Sequence, residues 1–400
     1  MAINDITRNL GPSKSQSHTS EAIGHAEDLS KIITNIDPDM TFFMSRFGEG
    51  PDATSLNFSW LTEHLEPPKV NAQLEEHDYT SGRIGSLRGM SNHVQFFSKS
   101  GRVTDAQRKV AKIYSPDDEK AHLMKRVTKQ MARDMEYAIT KNTISRPENG
   151  SAPAMTGGVP FFMKSETIEC TLETTGGVIT TSSEHNMKTG DFVYFKATTV
   201  PTGLKVGEAY YIRLNDSDPL TKFKIYNTLQ GAVEGLAADQ VKPSTAGADL
   251  VVELNNIVDL EGAADYTLDD INKGLEMVYR RGGNPTIAVM SAEKKRTFSK
   301  LITAATTINR GMKADRKLDL VATAVETDYG MITAETHRMY DHDRIDILDM
   351  NYWDIKWFDR VKEVTGLPKK GSYLELVYEG SFGLQATQPL ACASILNIKR

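Results

Sequence analysis

The chain has 400 residues, 47 basic and 53 acidic, for a formal net charge of −6, a balance that argues against a general nucleic-acid binder with its basic footprint. Its 39% hydrophobic and 25% charged residues exclude a disordered chain, and the length suits two or more domains of roughly 100–200 residues. No run reaches the ~18–20 apolar residues of a membrane-crossing helix. The opening MAINDITRNLGPSKS has no apolar secretory core, and two distant cysteines, Cys170 and Cys392, build no disulfide framework and point to a reducing compartment.

Residues 1–26 are polar and without apolar period, which predicts an arm. In EDLSKIITNIDPDMTFFMSRFGEG, Leu29, Ile32, Ile33 and Ile36 share a helical face and Pro38 stops the turn. Phe42, Phe43 and Phe47 are expected to anchor this segment to a core. Residues 54–103 predict a long hairpin. Leu56, Phe58 and Trp60 share one face at period two, and Val94 and Phe96 sit on the returning arm. The polar tip contains Gly82, Gly85 and Gly89, and a loop of that length inside a compact domain reads as functional or disordered. Asp117 to Asn142 predict a helix of about seven turns, with Met124, Val127, Met131, Met135 and Ala138 as its apolar stripe and Ser115 or Asp117 as its cap. Lys125, Arg126, Lys129 and Arg133 form a basic stripe. Because the helix also carries acids, a solvated face is the simpler reading than a phosphate contact.

At about Ser165 the sequence becomes rich in Thr, Val, Tyr and Phe, with turn signals every 8–12 residues. This predicts an all-β unit over 165–255, inserted into a second, mixed α/β unit. That host resumes at Thr267, where TLDD is a capping signal and Leu268, Ile271, Leu275 and Val278 follow at helical spacing until Gly282–Gly283. TIAVMS predicts a strand, Ser291 caps a second helix, and RIDILD, YWDIKWF and SYLELVYEGSFGLQ predict late strands.

The densest polar cluster is His337, Asp341, His342, Asp343, Asp346 and Asp349. Such residues can bind a divalent ion, but the spacing fits no metalloenzyme motif. The simpler reading is a loop followed by outward carboxylates alternating with Ile345, Ile347 and Leu348. Phosphate-cradling glycine loops and a GxSxG elbow are absent, and the cysteines read as quiet buried thiols. The sequence offers no catalytic residue, cofactor or metal ligand set, and reads as a non-enzyme.

The order of elements, together with six segments, resembles the major capsid protein of tailed bacteriophages, the fold named after phage Hong Kong 97. The segments are EDLSKIITNIDPDMTFFMSRFGEG, HVQFFSKSGRVTDAQ, LEMVYRRGGNPTIAVMSAEKKRTFSKL, TDYGMITAETHRM, ILDMNYWDIKWFDRV and VTGLPKKGSYLELVYEGSFGLQATQPLACASI. The resemblance covers nearly all of 27–164 and 256–400. Two features depart from it: the insert, similar in text to small β modules of phage structural proteins, and Gln388–Pro389 within the last strand.

The resemblance implies an α+β, Hong Kong 97-type capsid fold with an inserted small all-β domain. Its parts would be an N-terminal arm (1–53), an extended loop (54–103), a peripheral domain (104–164) with spine helix 117–142, the insert (165–255), an axial domain (256–345) and return strands of the peripheral domain (346–400). It implies self-assembly into hexamers and pentamers of an icosahedral shell enclosing double-stranded DNA without sequence-specific binding. Scaffold, portal and decoration proteins are further implied partners. No membrane is involved, and the implied location is the virion, after assembly in the host cytoplasm. The expected inter-subunit contacts are Phe58, Trp60, Val94 and Phe96 with hinge glycines Gly82 and Gly85, so that Trp60→Ala would impair assembly more than folding. A second reading, a tail or decoration component carrying a β interaction module, rests on 165–255 alone.

Overall fold

The computed structural model describes residues 41–63, 67–76, 88–109, 119–173, 176–185, 187–215, 217–244, 248–262, 264–306, 324–366, 368 and 371–399. The expected helix over 29–36 and the caps Ser115 and Asp117 lie outside these residues.

Four strands form the first sheet, in the order Gly48–Glu49, Trp353–Glu363, Tyr373–Ala386 and Gln95–Thr104. The first joins parallel at Asp354 and Ile355, and the others are antiparallel. Alternation puts Trp353, Ile355 and Trp357 beside Ala386, Leu384 and Phe382 on one face. On that face lies the spine helix, Glu119–Lys141. Two glycines make its bed. A Cβ at Gly101 would stand 2.7 Å from Leu123 Cδ1, and one at Gly380 would stand 3.2 Å from Met131 Cε. The buried stripe is therefore Val127, Met131, Met135 and Ala138, entered by Leu123. Met124, expected on the stripe, is exposed because Leu123 takes the place over Gly101.

The hairpin is real but shorter than its 54–103 reading. Asn57–Thr62 pairs with Arg88–His93, whereas Gln95–Thr104 leaves it and pairs with Tyr373–Ala386. The change of partner falls at Val94, whose amide is held by the Leu56 carbonyl at 2.9 Å. Phe43 and Phe47 are buried as expected, and Phe47 stacks on Trp353 at 5.5 Å.

The second sheet has six strands in the order Ile257–Asp259, Ala393–Leu396, Ile345–Leu348, Ile287–Met290, Gly330–Thr336 and Ala324–Thr327. Helices Leu268–Arg280 and Ala292–Thr306 accompany it. Thr267 and Asp270 form the expected reciprocal cap. The first helix ends at Gly282, with φ at +78°; Gly283 lies so close to the 389–392 turn that a Cβ would stand 2.6 Å from the Ala391 carbonyl. The expected division at 345/346 is not the structural one. Ile345–Leu348 and Ala393–Leu396 belong to the six-stranded sheet, so the chain crosses to the four-stranded sheet and back. Pro389 stands at the return crossing, in a 3-10 turn over Pro389–Ala391, where the ladder has already ended at Ala386.

Residues 167–253 close into a ring of antiparallel strands: Thr167–Glu173, Val178–Thr181, Lys222–Tyr226, Ala209–Leu214, Phe192–Lys196 and Val251–Glu253, which returns to the first. Gln240–Val241 adds to Lys222–Tyr226 beyond this ring. A closed ring leaves no free strand edge in its circuit. Its interior holds Ile179, Phe195, Ile212, Phe223, Ile225 and Val252. The unit is not strictly all-β: Thr228 caps a short helix, Leu229–Glu234, that ends on left-handed Gly235.

The barrel is fixed to the six-stranded unit. Phe192 and Tyr194 share a buried cluster with Leu275, Met277 and Val278, and Arg281 lies over the Phe192 ring at 4.7 Å. Where the chain enters and leaves the barrel, buried Glu253 accepts from the Ser165 hydroxyl and from the amides of Glu166, at 3.0 Å, and Asn255, at 3.4 Å. Lys196 Nζ lies 3.6 Å from Glu253 and 3.5 Å from Asp259.

Burial holds the Glu253 carboxyl above its ordinary range, against the opposing pull of these donors. The folded chain then binds that proton more tightly than the unfolded chain. The carboxyl's contribution is most favourable in acid and declines as pH rises toward its folded-state pKa. Thermal melts between about pH 4, near an ordinary Glu pKa, and pH 7 should show Glu253→Gln gaining on wild type as pH rises; a constant difference contradicts the assignment.

Candidate assembly surfaces

Phe58 and Trp60 are held on the sheet face away from the spine helix by a slot and a hydrogen bond. Gly383 makes the slot, since a Cβ there would stand 2.3 Å from Phe58 Cε1. Trp60 stacks on Phe58 at 5.8 Å and its Nε1 donates to the Ala386 carbonyl at 3.1 Å. Buried Asn92 ties the second hairpin strand down. Its Nδ2 donates to Thr156 Oγ1 and to the carbonyls of Gly157 and Leu384, while its Oδ1 accepts from the Gly157 amide and the Ser145 hydroxyl. These bonds are local in space but distant in sequence.

The expected contact residues must accordingly be revised. Phe58, Trp60 and Val94 are 7%, 8% and 0% exposed within their own subunit, so a neighbour has almost nothing of them left to cover. The alternation holds for Phe58 and Trp60, whereas Leu56, expected on the same face, is 51% exposed; the slot at Gly383 and the Asn92 network make that face the hairpin's own foot. Phe96 is on the opposite face of its strand from Phe97 and is 53% exposed, edge-on to Phe358. Gly82 and Gly85 lie outside the described residues. Among the described residues, the exposed apolar side chains of this region are Leu56, Leu61 and, in the irregular stretch 67–76, Val70 and Leu74.

A second buried polar group joins three regions. Glu136, fully buried on the spine helix, accepts from the amides of Phe43 at 2.8 Å and Met44 at 3.1 Å. It also meets His337 Nε2 at 3.1 Å. His337 Nδ1 accepts from the Met339 amide, which leaves Nε2 as the donor to Glu136. Anchor, helix and the loop after Gly330–Thr336 are thus locked on one carboxylate.

This arrangement disperses the polar cluster around His337. Asp341 pairs with Lys141 and His342 faces Glu293. Asp349 accepts from the amides of Asn351 and Asn284. Asp346, expected outward, is fully buried: it lies in an inner strand of the six-stranded sheet and is matched by Arg344, the Tyr340 hydroxyl and the Ser394 hydroxyl. Arg344 two residues before it, on the same face of an extended chain, was the available sequence signal. Among the described residues no group of three His, Cys, Asp or Glu side chains converges to hold a metal. Cys170 and Cys392 are buried free thiols that desolvation pushes up to about 12, so neither is poised as a nucleophile.

The family model described as the SU10 major capsid protein matches residues 12–399. The chain belongs to this family. It is a major capsid protein, a structural component of a tailed-phage shell. Its fold is shared by the capsid of a native GTA particle, with a TM-score of 0.51 at 9% identity over 97% of this chain and 100% of that one. It is also shared by the capsid of cyanophage A-1(L), with a TM-score of 0.53 at 8% identity over 98% and 99%. No curated protein matches the chain. The Hong Kong 97-type fold expected from the sequence is therefore borne out. In this SU10-family chain the buried foot of the hairpin is a fixture of the subunit, and the apolar side chains left exposed lie further along the loop and on the open sheet face at Phe96 and Phe358.

Two substitutions test these locks on the unassembled subunit. Trp60→Ala should cost about 3–5 kcal/mol of stability, as for other buried aromatics, and lower the melting temperature; an unchanged melt with defective assembly would restore the contact role. Glu136→Ala leaves two amides and an imidazole without their acceptor, at a cost on the order of 3 kcal/mol. Hydrogen exchange at Phe43 and Met44 should quicken in that variant, and unchanged protection there contradicts the lock.

Proposed function

We propose that this major capsid protein assembles into hexamers and pentamers of an icosahedral shell around packaged double-stranded DNA, and that the exposed 67–76 stretch of its hairpin lies on an adjacent copy. One observation carries the second part. The foot of the hairpin is pinned by Trp60, Phe58 and Asn92, yet the loop beyond it holds Val70 and Leu74 at 73% and 81% exposure. Apolar side chains held out on a fixed base are what a heterologous contact between identical subunits needs. Obligate interfaces of this kind bury on the order of 2,000–5,000 Å².

In this reading residues up to 53 are the arm, 57–93 the extended loop, and the four-stranded sheet with its helix the peripheral domain. The six-stranded sheet is the axial domain, and the barrel is an insert fastened to it. Scaffold, portal and decoration proteins are partners of the assembled particle rather than of a catalytic site, and assembly takes place in the host cytoplasm. The tail or decoration alternative fits less well, because Phe192 and Tyr194 belong to a cluster shared with the axial helix, so the barrel is not built to act by itself.

Light scattering and negative-stain microscopy of the purified chain should show rings, shells or tubes; a persistent monomer, even with scaffold or cell extract, overturns the proposal. Val70→Ser/Leu74→Ser should leave the subunit melt unchanged and cut assembled product at least about tenfold, as expected when a few central apolar anchors carry an interface.

A further inference from the structure

Gln95–Thr104 is the outer strand of the four-stranded sheet, with Tyr373–Ala386 as its single ladder neighbour among the described residues. The pairing is antiparallel and runs without a register shift from Gln95–Phe382 to Thr104–Tyr373. One step further in the same register, the Asp105 amide donates to the Ser372 carbonyl at 2.9 Å. Hydrogen-bonded pairs alternate along an antiparallel ladder, so the odd-numbered residues of the strand bond inward to Tyr373–Ala386. Phe96, Ser98, Ser100, Arg102 and Thr104 therefore turn their amides and carbonyls to the outer edge, and the side chains of all five are exposed. The edge is ten residues long, free of proline and unbroken by a bulge, a continuous template for one more strand.

We propose that this edge takes the 67–76 stretch of a second copy as an added strand, an inference that rests on the loop-to-neighbour reading above and names where the loop lands. PPKVNAQLEE belongs to no strand of its own subunit, where it sets out from the barrel: a Cβ at Gly190 would stand 2.7 Å from Pro67 Cγ. Val70, Ala72 and Leu74 nonetheless alternate with Asn71, Gln73 and Glu75, the period of a strand with one apolar face. Laid along the edge with that face to the open side of the sheet, they come beside Phe96, which is 53% exposed and edge-on to Phe358. Charge agrees. The edge strand carries Lys99 and Arg102 and no acid, whereas the stretch carries Glu75 and Glu76 against Lys69. In such an addition main-chain bonds supply affinity and the alternate side chains select the partner. The competing occupant is the same edge strand of another copy, and it is disfavoured because it would bring like charges together.

Proline at Ser98 and Ser100 removes two outward amides and no bond of the subunit's own ladder. Ser98→Pro/Ser100→Pro should therefore leave the subunit melt close to that of wild type. It should cut the yield of rings, shells or tubes at least about tenfold, because the added strand loses two donors. A second measurement leaves the backbone alone. Ala72→Cys chains assembled with Ser100→Cys chains, which join the middle of the stretch to the middle of the edge, should give covalent dimers with a short bis-maleimide; both native cysteines are buried. The same mixture kept unassembled should give none. Normal assembly of the proline variant, or no dimers in the assembled mixture, overturns the proposal. Dimers from assembled Ser100→Cys chains alone mark edge-to-edge self-pairing and overturn it as well. Wild type that forms no particle condemns the container reading. Assembly lost in Val70→Ser/Leu74→Ser but kept in the proline variant leaves the loop reading standing and condemns the edge.

Discussion

A carboxylate removed from water must be met by donors or it destabilises whatever buries it. In this subunit that requirement is met at Glu136, and the donors come from two places far apart in the chain: the adjacent Phe43 and Met44 amides, and His337. The spine helix can seat its apolar side only when the anchor before it and the loop from the six-stranded sheet are in position. Asn92 does the same for the hairpin, the 145–157 turn and the central strand Tyr373–Ala386. Apolar burial supplies the driving force. These two polar junctions select a single relative placement of parts that greasy contact alone would leave free to slide.

Most of the local structure was legible. Period-two and helical spacings gave the strands and both capped helices, because those patterns are written over short windows. The Thr267–Asp270 cap and the Gly282 stop are visible as residues in series. What could not be read was which strand pairs with which. Gln95–Thr104 looks like the second arm of a hairpin, since nothing near it announces a partner almost three hundred positions later. The same blindness assigned Phe58 and Trp60 to a neighbour: the slot that receives them is the absence of a side chain at Gly383. Asp346 reads as solvated in the sequence because two of its three partners, Tyr340 and Ser394, are supplied by the fold, while the third, Arg344, stands two residues away. At the level of architecture, the order of elements and six short segments were enough for the capsid fold.

The barrel illustrates how an addition can be accommodated in a subunit that is to be packed many times over. An open sheet inserted there would bring unpaired edges into a crowded surface. Closing the strands on themselves removes that hazard, and the aromatic seat of Phe192 and Tyr194 with the Glu253 crossing fastens it to the helix Leu268–Arg280.

The double crossing between the sheets has a consequence for the order of synthesis. Ala393–Leu396 lies between Ile257–Asp259 and Ile345–Leu348, pairing with both, so the six-stranded sheet stays split until that segment has emerged from the ribosome. An interrupted translation product would therefore leave Ile257–Asp259 detached from the four strands that remain paired.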